Sequence, residues 1–413
     1  MTVSPPSATF ALEPQSMRDS SESADRASRL VQAAARLVAQ EGIAAATARA
    51  VASAAGVSPS AINYNLGGME QLLSSAFALG AQEAGDWLAA RSREVAMLPP
   101  GPDGAARALE HVLIEWAGPA CPLALLYQEA VAEGAGLDWT RAWAGFWDET
   151  ARMLGLSPIA GRALHAFFES EALYHLSPWA PALERAVLRD MVDHFAAVWL
   201  DAPARPEAGA LLAAERAAGA RPHGSVPLSA MRIAAAAAEV VEEKGLAGLT
   251  HRAVAARAGV TTGAVTHYFR TVEDLVGGAI RGQVAAMEAE AVEAAEAAPH
   301  IDEVLTLERL REVLIFHARA ERPASPVLRR RRLFLAALRR ADLAGAGAVI
   351  RYSHGGTLRD SLGRVTGRSA EEVVLAAGVA SRLLSAIWFA CRADEDPAAG
   401  REALADWVLA RLR

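Results

Sequence analysis

A chain of 413 residues with 52% apolar side chains is too long for one ordinary core and has ample material for two or more. Alanine is abundant, strand formers are scattered and no stretch sustains a period-two alternation, so extended sheets are excluded and an all-α fold is expected. The net charge of −7 neither requires nor excludes a nucleic-acid partner, because a basic face can sit on an acidic body. Of the 41 basic side chains only Lys244 is a lysine, which reads as codon bias rather than design.

In chain order, residues 1–24 are rich in Ser, Pro and acidic side chains without periodicity and are expected to be a disordered tail. Helices are predicted at about 26–41, 48–55, 59–65 and 69–97, followed by longer ones to about 200. The breaks fall at P-P-G-P, at S-P near 157 and at S-P-W-A-P near 177. Residues 201–228 are rich in Pro, Ala and Gly and form a connection between domains. The pattern then begins again. The predicted organisation is thus a domain at 25–73 and a helical region at 74–200, then the linker 201–228, then a domain at 229–276 and a helical region at 277–413. Cys121 and Cys391 match no metal spacing and imply no disulfide framework. No export signal is visible at the start, and the apolar stretch 374–390 is interrupted by Arg382, so a cytoplasmic protein with no membrane partner is expected.

With a constant offset of 203 and no gap, residues 29–72 and 232–275 are identical at 18 of 44 positions, ten of them not alanine. The matches fall where a helix-turn-helix has physical requirements. Gly42 and Gly245 stand where a first helix ends, and Thr47 and Thr250 offer a hydroxyl to cap the second. Gly56 and Gly259 suit a positive-φ turn, with Val57 and Val260 plugging the gap behind it. Small Ala52 and Ala255 let the helices cross closely. Ser58 and Thr261 are predicted caps of the third helix, whose inner face is Ile62 and Leu66 in one copy and Val265 and Phe269 in the other. The remaining face is polar: Pro59, Ser60, Asn63, Tyr64 and Asn65 in the first copy, Thr262, Gly263, Thr266, His267 and Tyr268 with Arg270 in the second. Such a helix can enter a major groove with its capped start against phosphates, and Arg49 and Arg252 are candidate phosphate contacts.

At these residues each half resembles the TetR family of transcriptional regulators. The second copy, T-H-R-A-V-A-A-R-A-G-V-T-T-G-A-V-T-H-Y-F, is similar to the family pattern throughout. The first departs from it at Ser60 for glycine, Asn63 for tyrosine and Leu66 for phenylalanine, and both lack the lysine that opens helix four, having Met69 and Val272. The resemblance implies two tandem units, each a three-helix DNA-binding domain followed by a helical ligand-binding and dimerisation bundle, arranged as an intramolecular pseudo-dimer. It also implies a double-stranded operator as partner, a small-molecule effector and no cofactor. The last two helices of each half, about 157–177 with 181–200 and 369–393 with 397–412, are expected to form a four-helix interface.

Trp139, Trp143, Phe146 and Trp147 share one helical face. That face is either packed core or, with Trp116, Tyr127 and Phe167, the wall of an apolar effector pocket. The arginine run 329–332 sweeps through more than a helical turn and fits a solvated helix or an acidic effector. His165 with Glu169 and Asp190 with His194 are one turn apart but lack a third ligand, so no metal site is expected. The Y-S-H-G-G-T stretch at 352–357 has no accompanying G-x-S-x-G elbow, and no catalytic residue is expected. The favoured function is a repressor released by an effector and reading an asymmetric operator. The alternative is an interaction protein whose degraded first reader no longer binds DNA.

Overall fold

The computed structural model describes residues 15–203, 208–219, 227–244, 248–272, 274–279, 282, 307–318, 331, 334–335, 337–338 and 344–412. Among them every regular element is a helix. In chain order they are α1 Gln15–Glu41, a short 3-10 turn at Ile43–Ala45, α2 Ala48–Ala55, α3 Ser60–Leu66, α4 Met69–Val95, α5 Pro102–Ala117, α6 Cys121–Ala132, α7 Leu137–Met153, α8 Pro158–His175 and α9 Pro181–Trp199. Then follow α10 Gly209–Ala218, α11 Leu228–Lys244, α12 His251–Ala258, α13 Thr262–Tyr268, α14 Leu307–Ala318, α15 Ala344–Ser353, α16 Gly356–Thr366, α17 Ala370–Ala390 and α18 Pro397–Leu409. The expected arginine run at 329–332 lies outside the described residues except for Arg331, and so does Gly245.

The chain divides into two compact units, Met1–Glu83 with Leu125–Ala135, and Ala84–Ala124 with Gly136–Arg413. In the first, α1 buries Leu30, Ala33, Ala34 and Val38 completely, the one-face spacing that makes an amphipathic helix dock. It packs on α2 and α3.

In the second unit α8 is buried on nearly every side, with α7 and α17 as its main neighbours. The helix α9 lies on α5 and α10, and α17 packs on α16, α18 and α9. The Trp199 indole Nε1 donates to the Val408 carbonyl at 3.1 Å, joining α9 to α18. The last two helices of the first half therefore pack against the last two of the second, within two or three residues of the expected bounds. The 21-residue α17, with a mean hydropathy of 1.8, is long and apolar enough to cross a membrane, but 72% of that stretch is buried within the protein. Its Ser369 and Glu372 form a reciprocal cap on the helix start, which satisfies two orphan donors.

Two expectations need correcting. The helix α1 begins at Gln15, inside the segment expected to be a tail. Part of the expected linker is structured: α10 buries Leu211 and Ala214 and packs on α9, α15 and α17. The Glu215 carboxylate on α10 accepts from Arg359 Nη1 at 2.7 Å. The run A-G-A-L-L-A-A-E-R-A-A is a good helix former, although prolines flank it on either side.

Burial pushes the His165 imidazole down to about 3, and burial followed by the Arg368 charge pushes His194 down to about 4. Both are neutral in the fold, whereas unfolded histidine titrates near its ordinary 6.5. The unfolded chain therefore takes up protons first, so stability is fully present above pH ~6.5 and declines as pH falls toward ~4. The decline reaches about 1.4 kcal/mol per pH unit for each histidine. In urea melts across this window His165→Gln should flatten the decline, and a slope identical to that of the parent would show that His165 does not set it.

Candidate functional site

The second helix-turn-helix is built from its caps outward. Thr250 is extended, and its hydroxyl accepts from Ala253 N at 3.1 Å, starting α12. The helix stops at Gly259, whose φ of 65° is left-handed and suits glycine. Val260 N then donates to the Ala255 carbonyl at 3.0 Å. Thr261 caps α13, its hydroxyl accepting from Ala264 N at 3.2 Å. Val265 is fully buried beneath α13, and Phe269 is buried just beyond its end.

What faces outward is Thr262, Gly263, Thr266, His267, Tyr268 and Arg270, all exposed. The Thr266 hydroxyl donates to the Thr262 carbonyl at 3.0 Å, which leaves its oxygen lone pairs outward. Tyr268 is anchored to Ser229 through their hydroxyls at 2.7 Å, and the His267 ring stands edge-on to it at 4.9 Å. Arg252 is exposed at the start of α12 and pairs with no described residue, unlike Arg257, which holds Glu239 and Glu243 of α11. An ideal Cβ on Gly263 would meet only the Thr261 hydroxyl, at 3.8 Å. The fold itself has room for alanine there.

Two supports escaped the sequence reading. The His251 Nε2 pairs with the Phe269 carbonyl at 2.7 Å, tying the end of α13 to α12; its counterpart, Ala48, gave no hint of this. Thr271 and Asp274 cap each other across the next helix start, with both N–H···O distances 3.0 Å. That signal was present in the sequence T-V-E-D.

The first copy repeats the backbone and changes the surface. Thr47 accepts from Ala50 N at 3.3 Å, and Gly56 turns with a φ of 68°. Ser58 does not cap α3: its hydroxyl pairs with Ser60 Oγ at 2.8 Å, and Pro59 occupies the cap position without a side-chain bond. The proline just before the helix supplies a preset φ in its place. Asn65 is drawn inward, its Nδ2 donating to the Ala61 carbonyl at 2.7 Å and its Oδ1 accepting from Ser23 at 2.8 Å. Asn63, Tyr64 and Arg49 remain exposed, Tyr64 to 82%. No side chain of α3 is charged.

Of the expected effector residues, Trp116, Trp143 and Trp147 meet in one buried cluster. Trp116 and Trp143 lie 5.0 Å apart edge to face, and Phe168 lies 4.0 Å from Trp143 and 5.6 Å from Trp147. Phe167 points elsewhere, onto Phe195 at 5.5 Å, and Tyr127 belongs to the other compact unit. Trp87 on α4, whose ring lies tilted against Trp116 at 5.1 Å, was missed, and so was Phe168, because α8 is buried all round and its phase marks no single face. The indole N–H groups of Trp143 and Trp147 and the Thr150 hydroxyl have no hydrogen-bond partner among the described residues. No three His, Cys, Asp or Glu side chains among the described residues converge as metal ligands.

The family model for bacterial regulatory proteins of the tetR family matches residues 30–76 and again 233–279. The chain is a tandem member of the tetR family. Its two matches stand at the same 203-residue offset as the internal repeat. The coarse function follows from the family: a DNA-binding regulator of transcription. Among solved structures, the chain is similar to the multidrug binding protein EbrR, crystallised in complex with malachite green, at 31% identity over 45% of this chain and 98% of that one. The TM-score is 0.27, so the likeness is one of sequence. A comparison with curated proteins gave no match.

Gly263→Ala separates fold from contact in this tetR-type reader. Alanine at a helical position should stabilise α13 by about 0.5–1 kcal/mol while the added methyl weakens DNA binding. Thermal melts and fluorescence-anisotropy titrations read the two effects, and undiminished DNA affinity would remove the groove contact at this position.

Proposed function

We propose that the chain is a cytoplasmic, ligand-responsive transcriptional repressor that works as a one-chain pseudo-dimer and reads an asymmetric operator. The observation that carries this reading is the packing of α8 and α9 against α17 and α18, which gives the two halves the helical interface that separate subunits would otherwise form. One chain then supplies both readers. The proposed contacts in the second reader are Thr250, Arg252 and Thr261 to phosphates and Thr262, Gly263, Thr266, His267, Tyr268 and Arg270 toward the groove. In the first they are Thr47, Arg49, Ser58, Pro59 and Ser60 beside the backbone, with Asn63 and Tyr64 in the groove. Asn65, spent on internal bonds, is assigned to support.

The two faces differ in chemistry. Asparagine pairs bidentately with adenine, so Asn63 fits an adenine in the first half-site, whereas the second relies on hydroxyl and imidazole contacts. A palindrome is not required, although half-site centres must still lie about one helical turn, roughly 34–36 Å, or a multiple of it apart.

The effector reading rests on the tryptophan cluster. Two buried indole donors without acceptors among the described residues disfavour the closed arrangement by about 1–3 kcal/mol each. A flat apolar ligand bearing acceptor atoms gains what they lack. If such a ligand binds only when the cluster opens, and opening misplaces the readers, DNA affinity falls by the differential affinity of the ligand, typically ~1–3 kcal/mol or about 5–150-fold.

DNA fragments selected from a random pool should yield an asymmetric site, and light scattering should find one chain per site. Two chains as the smallest bound unit would sink the pseudo-dimer. Arg252→Ala should weaken binding to every sequence and lower the salt slope by about one, while His267→Ala relaxes preference in one half-site alone. Trp143→Phe, which removes one orphan donor and keeps an aromatic ring, should blunt release by ligand without loss of DNA binding; an undiminished response would assign the cluster to packing.

A further inference from the structure

The interface between the two halves segregates charge. Among the described residues of the larger compact unit the buried carboxylates are Glu169, Glu171 and Glu184, all from the first half. The buried guanidiniums among the same residues are Arg331, Arg351, Arg359, Arg382 and Arg401, all from the second. At the centre, Glu171 on α8 accepts from Arg351 Nη2 on α15 at 2.6 Å and from Arg382 Nε on α17 at 3.0 Å. Two residues earlier on α8, the Glu169 carboxylate accepts from Arg331, and Glu184 on α9 lies 3.7 Å from Arg351. The remaining donors of Arg382 go to the carbonyls of His354 at 2.9 Å and Arg351 at 3.2 Å. Among the described residues one pair runs the other way, Arg162 with Asp394 at 3.3 Å, and it sits at the edge with Arg162 38% exposed.

The rest of the buried surface on α8 and α17 is mostly apolar, Ala, Leu and Phe on both helices with Val and Ile added on α17, and apolar area alone does not tell one half from the other. Charge does. Two first halves brought together by the same face would bury glutamates with no cation, and two second halves would bury arginines with no anion. Unpaired buried charge is among the strongest penalties an interface can impose, and it works as rejection of the wrong partner.

We propose that this one-way segregation is a pairing key: the first half accepts only the arginine-bearing second half of this chain, its own or that of another copy, and like halves are excluded. The inference rests on the pseudo-dimer reading for its biological use, yet it concerns which halves pair rather than how many chains bind DNA. The key also fixes polarity, since each half-site of an asymmetric operator then meets a defined reader.

The test uses two full-length variants. Glu169→Arg with Glu171→Arg makes both faces basic, and Arg351→Glu with Arg382→Glu makes both acidic. Alone, each should melt at lower temperature than the parent. Mixed, the acidic variant still carries a native first face and the basic variant a native second face, so a heteromer should form at least about tenfold more tightly than either self-associates. Equal self-association and hetero-association in sedimentation, or parental melting of both variants, would overturn the key. Should charge reversal prevent folding, a neutral cycle decides: Glu171→Gln, then Arg351→Gln with Arg382→Gln, then all three. The key requires that the triple variant recover much of the melting temperature lost on one side, whereas simple addition of the losses overturns it. If the parent chain itself proves dimeric, the pseudo-dimer reading fails while the mixing experiment still reports on the key.

Discussion

The structure turns on a carboxylate that has been taken out of water. Burial by itself would raise the Glu171 carboxyl, but Arg351 and Arg382, with His175 beside them, hold it well below its ordinary range. It is therefore ionised and must remain paired, since a buried ion pair is tolerated only when its geometry is good and its remaining donors are satisfied. That condition places α8, α15 and α17 in one register: Glu171 sits where two guanidiniums from different helices converge, and Arg382 also ties the carbonyls of Arg351 and His354. His175, its imidazole lowered chiefly by burial and next by Arg351, is neutral and sits 2.9 Å from the Arg351 guanidinium. A slip of one residue along α8 would leave a buried arginine facing apolar side chains.

The readers show the opposite economy, with the same backbone carrying different chemistry. Thr47 and Thr250 cap equivalent helices, and Gly56 and Gly259 turn at φ values of 68° and 65°. These positions are set by hydrogen bonding and by left-handed backbone, which few residues satisfy. The outward positions obey no such rule. Asn63 stands against Thr266 and Tyr64 against His267, and Ser60 adds a Cβ where Gly263 leaves bare backbone. The third helix of the first copy also ends on Gly67 in left-handed conformation, where the second continues through Phe269 in extended backbone. The first reader thus keeps the geometry of a DNA-binding element while losing charge and one of its two asparagines.

This division explains what could be read from the sequence. Helix bounds lie within two or three residues of the expected ones where a cap or a glycine marks them, as at α2 and α17, because those signals act locally. The repeat exposed the family for the same reason. The structured part of the linker was hidden because α10 is held by distant groups, Glu215 by Arg359 and Leu211 by neighbouring helices, and composition does not report tertiary partners. Asn65 looked like a reader because it is polar and follows Tyr64; only the positions of Ser23 and the Ala61 carbonyl show that its amide is occupied. Phe167 and Phe168 are adjacent in a helix buried on all sides, so periodicity could not say which of them joins the tryptophans. The charge key was invisible for a related reason: its acids and arginines are some 162–211 residues apart, and each alone looks like an ordinary charge on a helix.

A symmetric dimer could not hold such an interface. When two identical chains meet about a twofold axis, every contact between residue i and residue j is matched by one between j and i, so each side must carry both the acid and its arginine. Here, the Arg162–Asp394 pair at the edge apart, the acids lie on one side and the arginines on the other, which two identical faces cannot provide. In the proposed pseudo-dimer the same release from symmetry acts on the readers, since a substitution in one copy no longer appears twice on the DNA. Fusion makes pairing intramolecular and raises the effective concentration of one half beside the other. A key that rejects like halves then guards the arrangement against exchange between chains. Divergent readers and a one-sided charge pattern are thus two consequences of one event, and each would lose its value without the other: distinct readers matter only if the pairing is defined, and a defined polarity matters only if the readers differ.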